Sequence, residues 1–123
     1  MFIEKTRARL EGVNSDLVNV ILEAISEYGS PVGISEGVRT LAKQKEYLAK
    51  GKSKTLNSYH LKGQAVDVYI LDDRGNADWS LHKYKAFADI VKRIAESKHL
   101  TIIWGGDWKT LSDGPHFEIH LGA

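Results

Sequence analysis

Cysteine is absent from this 123-residue sequence. Its absence excludes disulfide bonds, thiolate metal ligands and cysteine nucleophiles together. A bound metal ion would therefore be held by imidazole and carboxylate groups, and the stability of the fold would have to come from a hydrophobic core.

The sequence also lacks a long apolar run and a strong excess of one charge. No stretch approaches the roughly 20 apolar residues that span a bilayer, and residues 1–10 carry charges where a signal peptide needs an apolar segment. Seventeen Lys and Arg against 16 Asp and Glu give a formal net charge of +1, which does not favour nucleic acid as a partner. We therefore expect a protein made in the cytoplasm without a signal peptide, with no membrane and no nucleic-acid partner. A monomer is the expected form.

Helical periodicity marks three segments of the chain. Apolar residues recur at helical spacing over residues 14–28 and over about 80–97, and a shorter helix is predicted over 40–50. In the long helix, Leu81 and Tyr84 begin a stripe of residues that we expect to be buried.

Short runs of β-branched and apolar residues indicate four strands. They cover residues 32–38, 65–70, 101–104 and 116–119. Alternation within the second strand puts Asp67 on the opposite face from Val66 and Val68. The length suits one domain over residues 1–123, and the order of elements predicts an α+β fold, a short antiparallel sheet packed against about three helices.

His60, Asp67 and His116, residue types that a hydrophobic core does not need, form a candidate metal site. Catalytic zinc commonly has three His or carboxylate ligands and keeps a fourth position for water. Gly63 allows a turn that brings His60 back beside Asp67. His116 opens a predicted strand that could pair with the strand of Asp67, and such neighbours lie about 5 Å apart. The alternative for each histidine is a solvated or hydrogen-bonded side chain.

Hydrolysis by a metal-activated water also needs a base, and donors or positive charge near the developing oxyanion. Asp113, shortly before His116, is the candidate base; alternatively it caps a Gly-Pro turn. Arg39 follows a predicted strand and is the candidate for the oxyanion or a substrate carboxylate, unless it forms a surface salt bridge. Ser58 either donates a hydrogen bond to substrate or turns the loop.

Four motifs carry a resemblance to a known family. They are Ser-x-His-x6-Asp at 58–67, Asp-x-x-His at 113–116, Gly-Val-Arg-Thr at 37–40 and Trp-Gly-Gly-Asp-Trp at 104–108. Together they resemble the zinc peptidases that include VanX/VanY-type D-Ala-D-Ala peptidases and the phage endolysins that cut the L-alanyl-D-glutamate bond. The order of elements from Leu17 to Ile119 also agrees with that family.

The resemblance implies one zinc ion, held by His60, Asp67 and His116. It also implies that Asp113 is the general base and that Arg39 contacts the substrate or the transition state.

Other residues receive a less specific role from the same resemblance. Trp104 and Asp107, together with Trp108, are expected to shape the substrate cleft, although both tryptophans could instead be core residues. Alternation places Glu118 and His120 on the face of His116, which makes both candidates for supporting that ligand.

The function implied by the resemblance is that of an endolysin. We expect a zinc-dependent endopeptidase that hydrolyses the L-alanyl-D-glutamate bond of the peptidoglycan stem peptide with a metal-activated water. It would act on the cell wall, in the periplasm, after the membrane is permeabilised. The alternatives are a D,D-carboxypeptidase or D-Ala-D-Ala dipeptidase, a non-catalytic zinc-stabilised wall-binding domain, and an ordinary α+β binding domain with incidental histidines.

Overall fold

In the part of the chain that this computed structural model describes, two complete α-helices and a five-stranded sheet make up most of the fold. The described residues are 1–38, 45, 46, 48–50, 59–109 and 112–122. The α-helices are α1 (Ser15–Tyr28) and α2 (Leu81–Ser97), and 3-10 helices cover Glu4–Leu10 and Gly105–Asp107. The strands are β1 (Val32–Glu36), β2 (Ala65–Leu71), β3 (Ala77–Asp78), β4 (Thr101–Trp104) and β5 (His116–His120). The predicted α+β fold is confirmed.

Helix α1 begins and ends where the sequence predicts. The side chain of Asn14 accepts hydrogen bonds from the N–H groups of Asp16 and Leu17, which otherwise have no partner within the helix. Gly29 follows the last turn with φ +87°, a conformation that costs glycine little, and its N–H donates to Ile25. One face of the helix is buried in the core: Leu17, Val20, Ile21, Ala24 and Ile25.

Helix α2 buries most of its predicted stripe, with one correction. Its buried residues are Tyr84, Phe87, Ala88, Val91, Ile94 and Ala95. The expectation that Leu81 belongs to this stripe is wrong, because Leu81 is 56% exposed. It is the first residue of the helix, and the contact with the sheet begins one turn later, at Tyr84.

The third predicted helix, over 40–50, lies partly outside the described residues. Lys45, Glu46, Leu48 and Ala49 are helical, and Lys50 is in a turn. Among the described residues, no helix has the length and apolar character needed to cross a membrane.

The last strand of the chain lies inside the sheet. The strand order is β1-β2-β5-β4, with the two-residue strand β3 also paired to β2, and the pairs are antiparallel. Alternation along β2 and β5 gives the sheet two different faces. The face that carries Val66 and Phe117 packs against α2, where the rings of Phe87 and Phe117 meet edge to face with centroids 5.6 Å apart. Asp67 and His116 lie on the other face.

Strand pairing aligns three ionisable residues in one row across the sheet. Asp67 on β2 lies opposite His116 on β5 and, on its other side, opposite Glu36 on β1. Directly opposed residues point to the same face of a sheet. The predicted pairing of the His116 and Asp67 strands is therefore confirmed.

A hydrogen bond from β2 to α2 offers a test of this packing. The N–H of Ile70 donates to the hydroxyl of the buried Tyr84 at 3.0 Å. The substitution Tyr84→Phe removes the acceptor and leaves a buried N–H without it, which we expect to lower the free energy of unfolding by about 1–3 kcal/mol. Urea denaturation measures the loss. Tyr28→Phe, at a half-buried ring that packs edge-on against Phe87, is the control and should cost less; equal losses would contradict this role of the hydroxyl.

Candidate metal centre

Three side chains converge on the face of the sheet opposite the one that packs against α2. One ligand atom from each of His60, Asp67 and His116 lies within 4.8 Å of the other two. Asp67 Oδ1 is 3.3 Å from His60 Nε2 and 3.1 Å from His116 Nδ1. Both imidazoles are buried and the carboxylate is half-buried. This spacing is what a single ion shared by three ligands requires.

His60 reaches this group from a tight turn. Its carbonyl accepts the N–H of Gly63, and Gly63 has φ +69°, a conformation that favours glycine. A Cβ at Gly63 would also lie 2.4 Å from the carbonyl oxygen of Gly12, so no larger residue fits without a shift. The turn expected from Gly63 is therefore present, and it brings His60 beside Asp67.

The ring of His60 is oriented by a backbone carbonyl. Its Nδ1 donates to the oxygen of Gly37 at 2.8 Å, and its Nε2 faces Asp67 Oδ1 at 3.3 Å. Gly37 itself lies against the first 3-10 helix, since a Cβ there would come within 1.9 Å of the carbonyl oxygen of Arg9. Ligating histidines usually donate their second ring N–H in this way.

The ring of His116 is oriented by a carboxylate. Its Nδ1 faces Asp67, and its Nε2 lies 2.8 Å from Glu118 Oε1. The second oxygen of Glu118, Oε2, lies 2.6 Å from His120 Nε2. Glu118 and His120 thus lie behind His116 on its own strand, as alternation predicts.

Asp113, the candidate base, lies in the turn that leads into β5. Its N–H donates to the carbonyl of Gly105, and its own carbonyl accepts the N–H of His116. A Cβ at Gly105 would lie 3.0 Å from His116 Cβ and 3.2 Å from Asp113 Cβ. The side chains of Asp113 and His116 therefore both begin next to Gly105. Asp113 is a neighbour of the group formed by His60, Asp67 and His116, but it is not a member of it.

Comparison with known proteins places this geometry in a family. The family model described as phage L-alanyl-D-glutamate peptidase matches residues 1–121. The chain belongs to this peptidase family. That finding confirms the resemblance inferred from the four motifs.

Two curated relatives share about a third of their aligned residues with this chain. It is 34% identical over 101 residues to the L-alanyl-D-glutamate peptidase of Listeria phage A118, covering 81% of this chain and 34% of the relative. It is 31% identical over 108 residues to the peptidoglycan L-alanyl-D-glutamate endopeptidase CwlK of Bacillus subtilis (strain 168), covering 78% and 65%. The chain thus spans about a third of the first relative's length and just under two thirds of the second's.

Solved structures show the same fold. The Serratia marcescens L-Ala D-Glu endopeptidase ChiX superposes with a TM-score of 0.89 at 40% identity, covering 98% of this chain and 90% of ChiX. The D,D-pentapeptidase VanY from a VanB-type resistance cassette, solved in complex with Zn(II), has a TM-score of 0.56 at 18% identity, covering 87% and 72%. The likeness to VanY concerns the fold alone.

The two tryptophans expected at the substrate cleft have different surroundings. Trp104 is 4% exposed, and its indole N–H donates to the carbonyl of Gly114 at 2.7 Å. A ring so deeply buried offers substrate no contact surface, which favours the alternative of a core residue. Trp108 is 36% exposed, and its ring centroid lies 5.0 Å from that of His116. Trp108 is therefore the tryptophan that borders the site.

The other residues expected to contact substrate are Asp107, Arg39 and Ser58. Asp107 is exposed and forms a 2.5 Å salt bridge with Lys92 of α2, which ties the 3-10 helix Gly105–Asp107 to that helix. Arg39 and Ser58 lie outside the described residues. The roles expected of these three residues stay predictions.

Glu36 lies beside the site and was missed by reasoning from the sequence. Its Oε1 is 3.8 Å from His60 Nε2, and its Cα lies opposite that of Asp67. Regular alternation from the buried Ile34 would put Glu36 on the core face, but the register shifts between these two residues. Such a bulge redirects the side chains that follow it. The sequence did contain an indication of this: Glu36 is a charged residue at a strand position where alternation predicts an apolar side chain.

Close packing of opposite charges shifts the pKa values at the site. Burial disfavours the charged carboxylate, but hydrogen bonds from His116 and His60 outweigh it and hold the pKa of Asp67 well below its usual range. Burial likewise disfavours the imidazolium, yet hydrogen bonds to Asp67 and Glu118 raise the pKa of His116 to about 9. Without a metal ion the site therefore holds a proton on His116 at neutral pH, and a bound cation would replace that proton.

These shifts predict how the stability of the metal-free protein depends on pH. The folded-state pKa of His116 is raised from 6.5 to about 9. Its contribution to the free energy of unfolding is therefore complete below pH 6.5 and is lost as the pH rises toward 9. The contribution of Asp67 has the opposite sense: it is present above the ordinary pKa of 3.8 and is lost at lower pH.

We expect the free energy of unfolding of chelator-treated protein to be highest between pH 3.8 and pH 6.5, the ordinary pKa values of the two groups. It should fall as the pH rises above 6.5. Urea denaturation over a pH series measures it. His116→Gln should flatten the alkaline decline, and an equal decline in this variant would show that another group causes it.

Proposed function

We propose that this chain is a zinc-dependent peptidoglycan endopeptidase that hydrolyses the L-alanyl-D-glutamate bond of the stem peptide. The observation that carries the proposal is the convergence of His60, Asp67 and His116 in a chain of this family. The likeness to ChiX, over nearly the whole length of both chains, supports the choice of bond. The proposed place of action is the bacterial cell wall.

The donor set of the site suits zinc. Two imidazoles and one carboxylate are ligands that zinc accepts in catalytic sites, and both rings already have their second nitrogen hydrogen-bonded. The Zn(II) bound to VanY, which shares the fold, supports the same choice. When bound, zinc lowers the pKa of a water molecule toward about 7 and polarises a carbonyl oxygen.

The residues around the three ligands would carry the remaining steps. Asp113, beside His116, would accept a proton from the attacking water and deliver it to the leaving nitrogen of D-glutamate, so that the amide bond breaks as the new carboxylate forms. Trp108, half open to solvent beside His116, would exclude water from one side of the reacting bond. Arg39 would contact the substrate or the oxyanion of the transition state.

The role of Asp113 can be tested by removing its basicity while keeping its shape. We expect Asp113→Asn to bind zinc and to unfold at about the same temperature as the parent, and to lose roughly 10²–10⁴-fold in kcat on purified peptidoglycan. Release of new amino groups from sacculi measures the rate. Asp73→Asn, at an exposed aspartate of the turn before β3, is the matched control and should lose far less. Equal activity of the parent and Asp113→Asn would exclude Asp113 as the base.

The bond cleaved can be read from the products. Digestion of purified peptidoglycan should create new N-terminal glutamate, and treatment with a chelator should abolish the reaction until Zn²⁺ is restored. Release of D-alanine would instead identify a D,D-carboxypeptidase or dipeptidase. Binding to sacculi with no new end groups, by protein loaded with zinc, would identify the non-catalytic wall-binding domain.

A further inference from the structure

His120 is an ionisable residue at the metal centre to which the proposed reaction gives no role. It is the last residue of β5, and its side chain is 41% exposed. The ring nevertheless makes two close contacts, one with Glu118 and one with Tyr59. Each contact leads to a different metal-site residue.

The first contact leads to His116. Glu118 bridges two histidines with its two oxygens: Oε1 lies 2.8 Å from His116 Nε2, and Oε2 lies 2.6 Å from His120 Nε2. A carboxylate held at both oxygens has a fixed plane, whereas one held at a single oxygen can rotate. Because a carboxylate that accepts the second N–H of a ligating imidazole orients the ring and raises its basicity, His120 can act on His116 through Glu118.

The second contact leads to His60. The ring of His120 stacks on that of Tyr59 with centroids 4.8 Å apart and an interplanar angle of 27°. Tyr59 immediately precedes His60, and its carbonyl accepts the N–H groups of Lys62 and Gln64, which form the turn that carries this ligand. The stack therefore ties the turn of His60 to the strand of His116.

We propose that His120 is a positioning residue of the metal centre, which fixes the His116 ring through Glu118 and the His60 turn through Tyr59. This inference rests on the proposed function, since it assumes that the three ligands bind zinc. The gain is preorganisation: ligands already held in place lose less conformational entropy when the ion binds. His120 contacts neither the ion nor the substrate in this scheme.

The test measures zinc affinity with the metal alone, by competition with a chromogenic chelator. We expect His120→Ala to weaken zinc binding by about 10–100-fold, the loss found when a group that supports a metal ligand is removed. His120→Gln keeps a donor for Glu118, and His120→Phe keeps a ring on Tyr59. Each retains one of the two contacts, so each should bind zinc more tightly than His120→Ala and less tightly than the parent. His82→Ala, at an exposed histidine of α2, is the control and should bind zinc like the parent.

Two further measurements separate positioning from a general effect on folding. The Co²⁺-substituted protein reports ligand geometry in its visible spectrum, which should change in His120→Ala and be restored in part in His120→Gln. Thermal unfolding of the metal-free variants measures the structural cost of each substitution. If His120→Ala lowers metal-free stability but leaves the zinc affinity and the Co²⁺ spectrum unchanged, His120 is merely structural and the inference is overturned.

The outcomes also distinguish this inference from the proposed function. A parent protein that does not bind zinc overturns both. A parent that binds zinc and cleaves peptidoglycan, with His120→Ala equal to it in zinc affinity, overturns the positioning role alone.

Discussion

The contact of one half-buried carboxylate with two buried imidazoles is the interaction on which the rest of this site depends. Taking a charge out of water costs several kcal/mol unless partners compensate for it. Asp67 has such partners in His60 and His116, at 3.3 and 3.1 Å. Removing either partner would leave part of that cost uncompensated. The surrounding structure can therefore be understood as a set of contacts that keeps these three side chains together.

Two kinds of contact hold these three side chains in place. The backbone pairing of β2 with β5 fixes Asp67 against His116, because the two residues lie directly opposite each other. The turn before β2 brings in His60, and the carbonyl of Gly37 fixes its ring. The arrangement uses paired strands for Asp67 and His116 and a constrained turn for His60.

Reasoning from the sequence singled out the three side chains that converge, because their chemical types are distinctive and their motifs are specific. It also predicted helix α1 at its observed bounds and the pairing of the strands of Asp67 and His116. It failed where the outcome depends on a local irregularity or on exact packing. Glu36 reaches the site only because a bulge shifts the register of β1. The alternation of apolar and polar residues in a sequence does not show where such a bulge occurs.

Local patterns in the sequence by themselves determined the elements of this protein: where α1 begins, which face of β2 carries Asp67, and which side chains could bind a divalent cation. Only the tertiary structure decided which of those side chains meet. Trp104 and Trp108 show the difference, since two tryptophans of one short motif end in the core and at the border of the site. The physical reason is that periodicity reports on one element at a time, whereas proximity arises from strand order, register and turns that join residues distant in the chain.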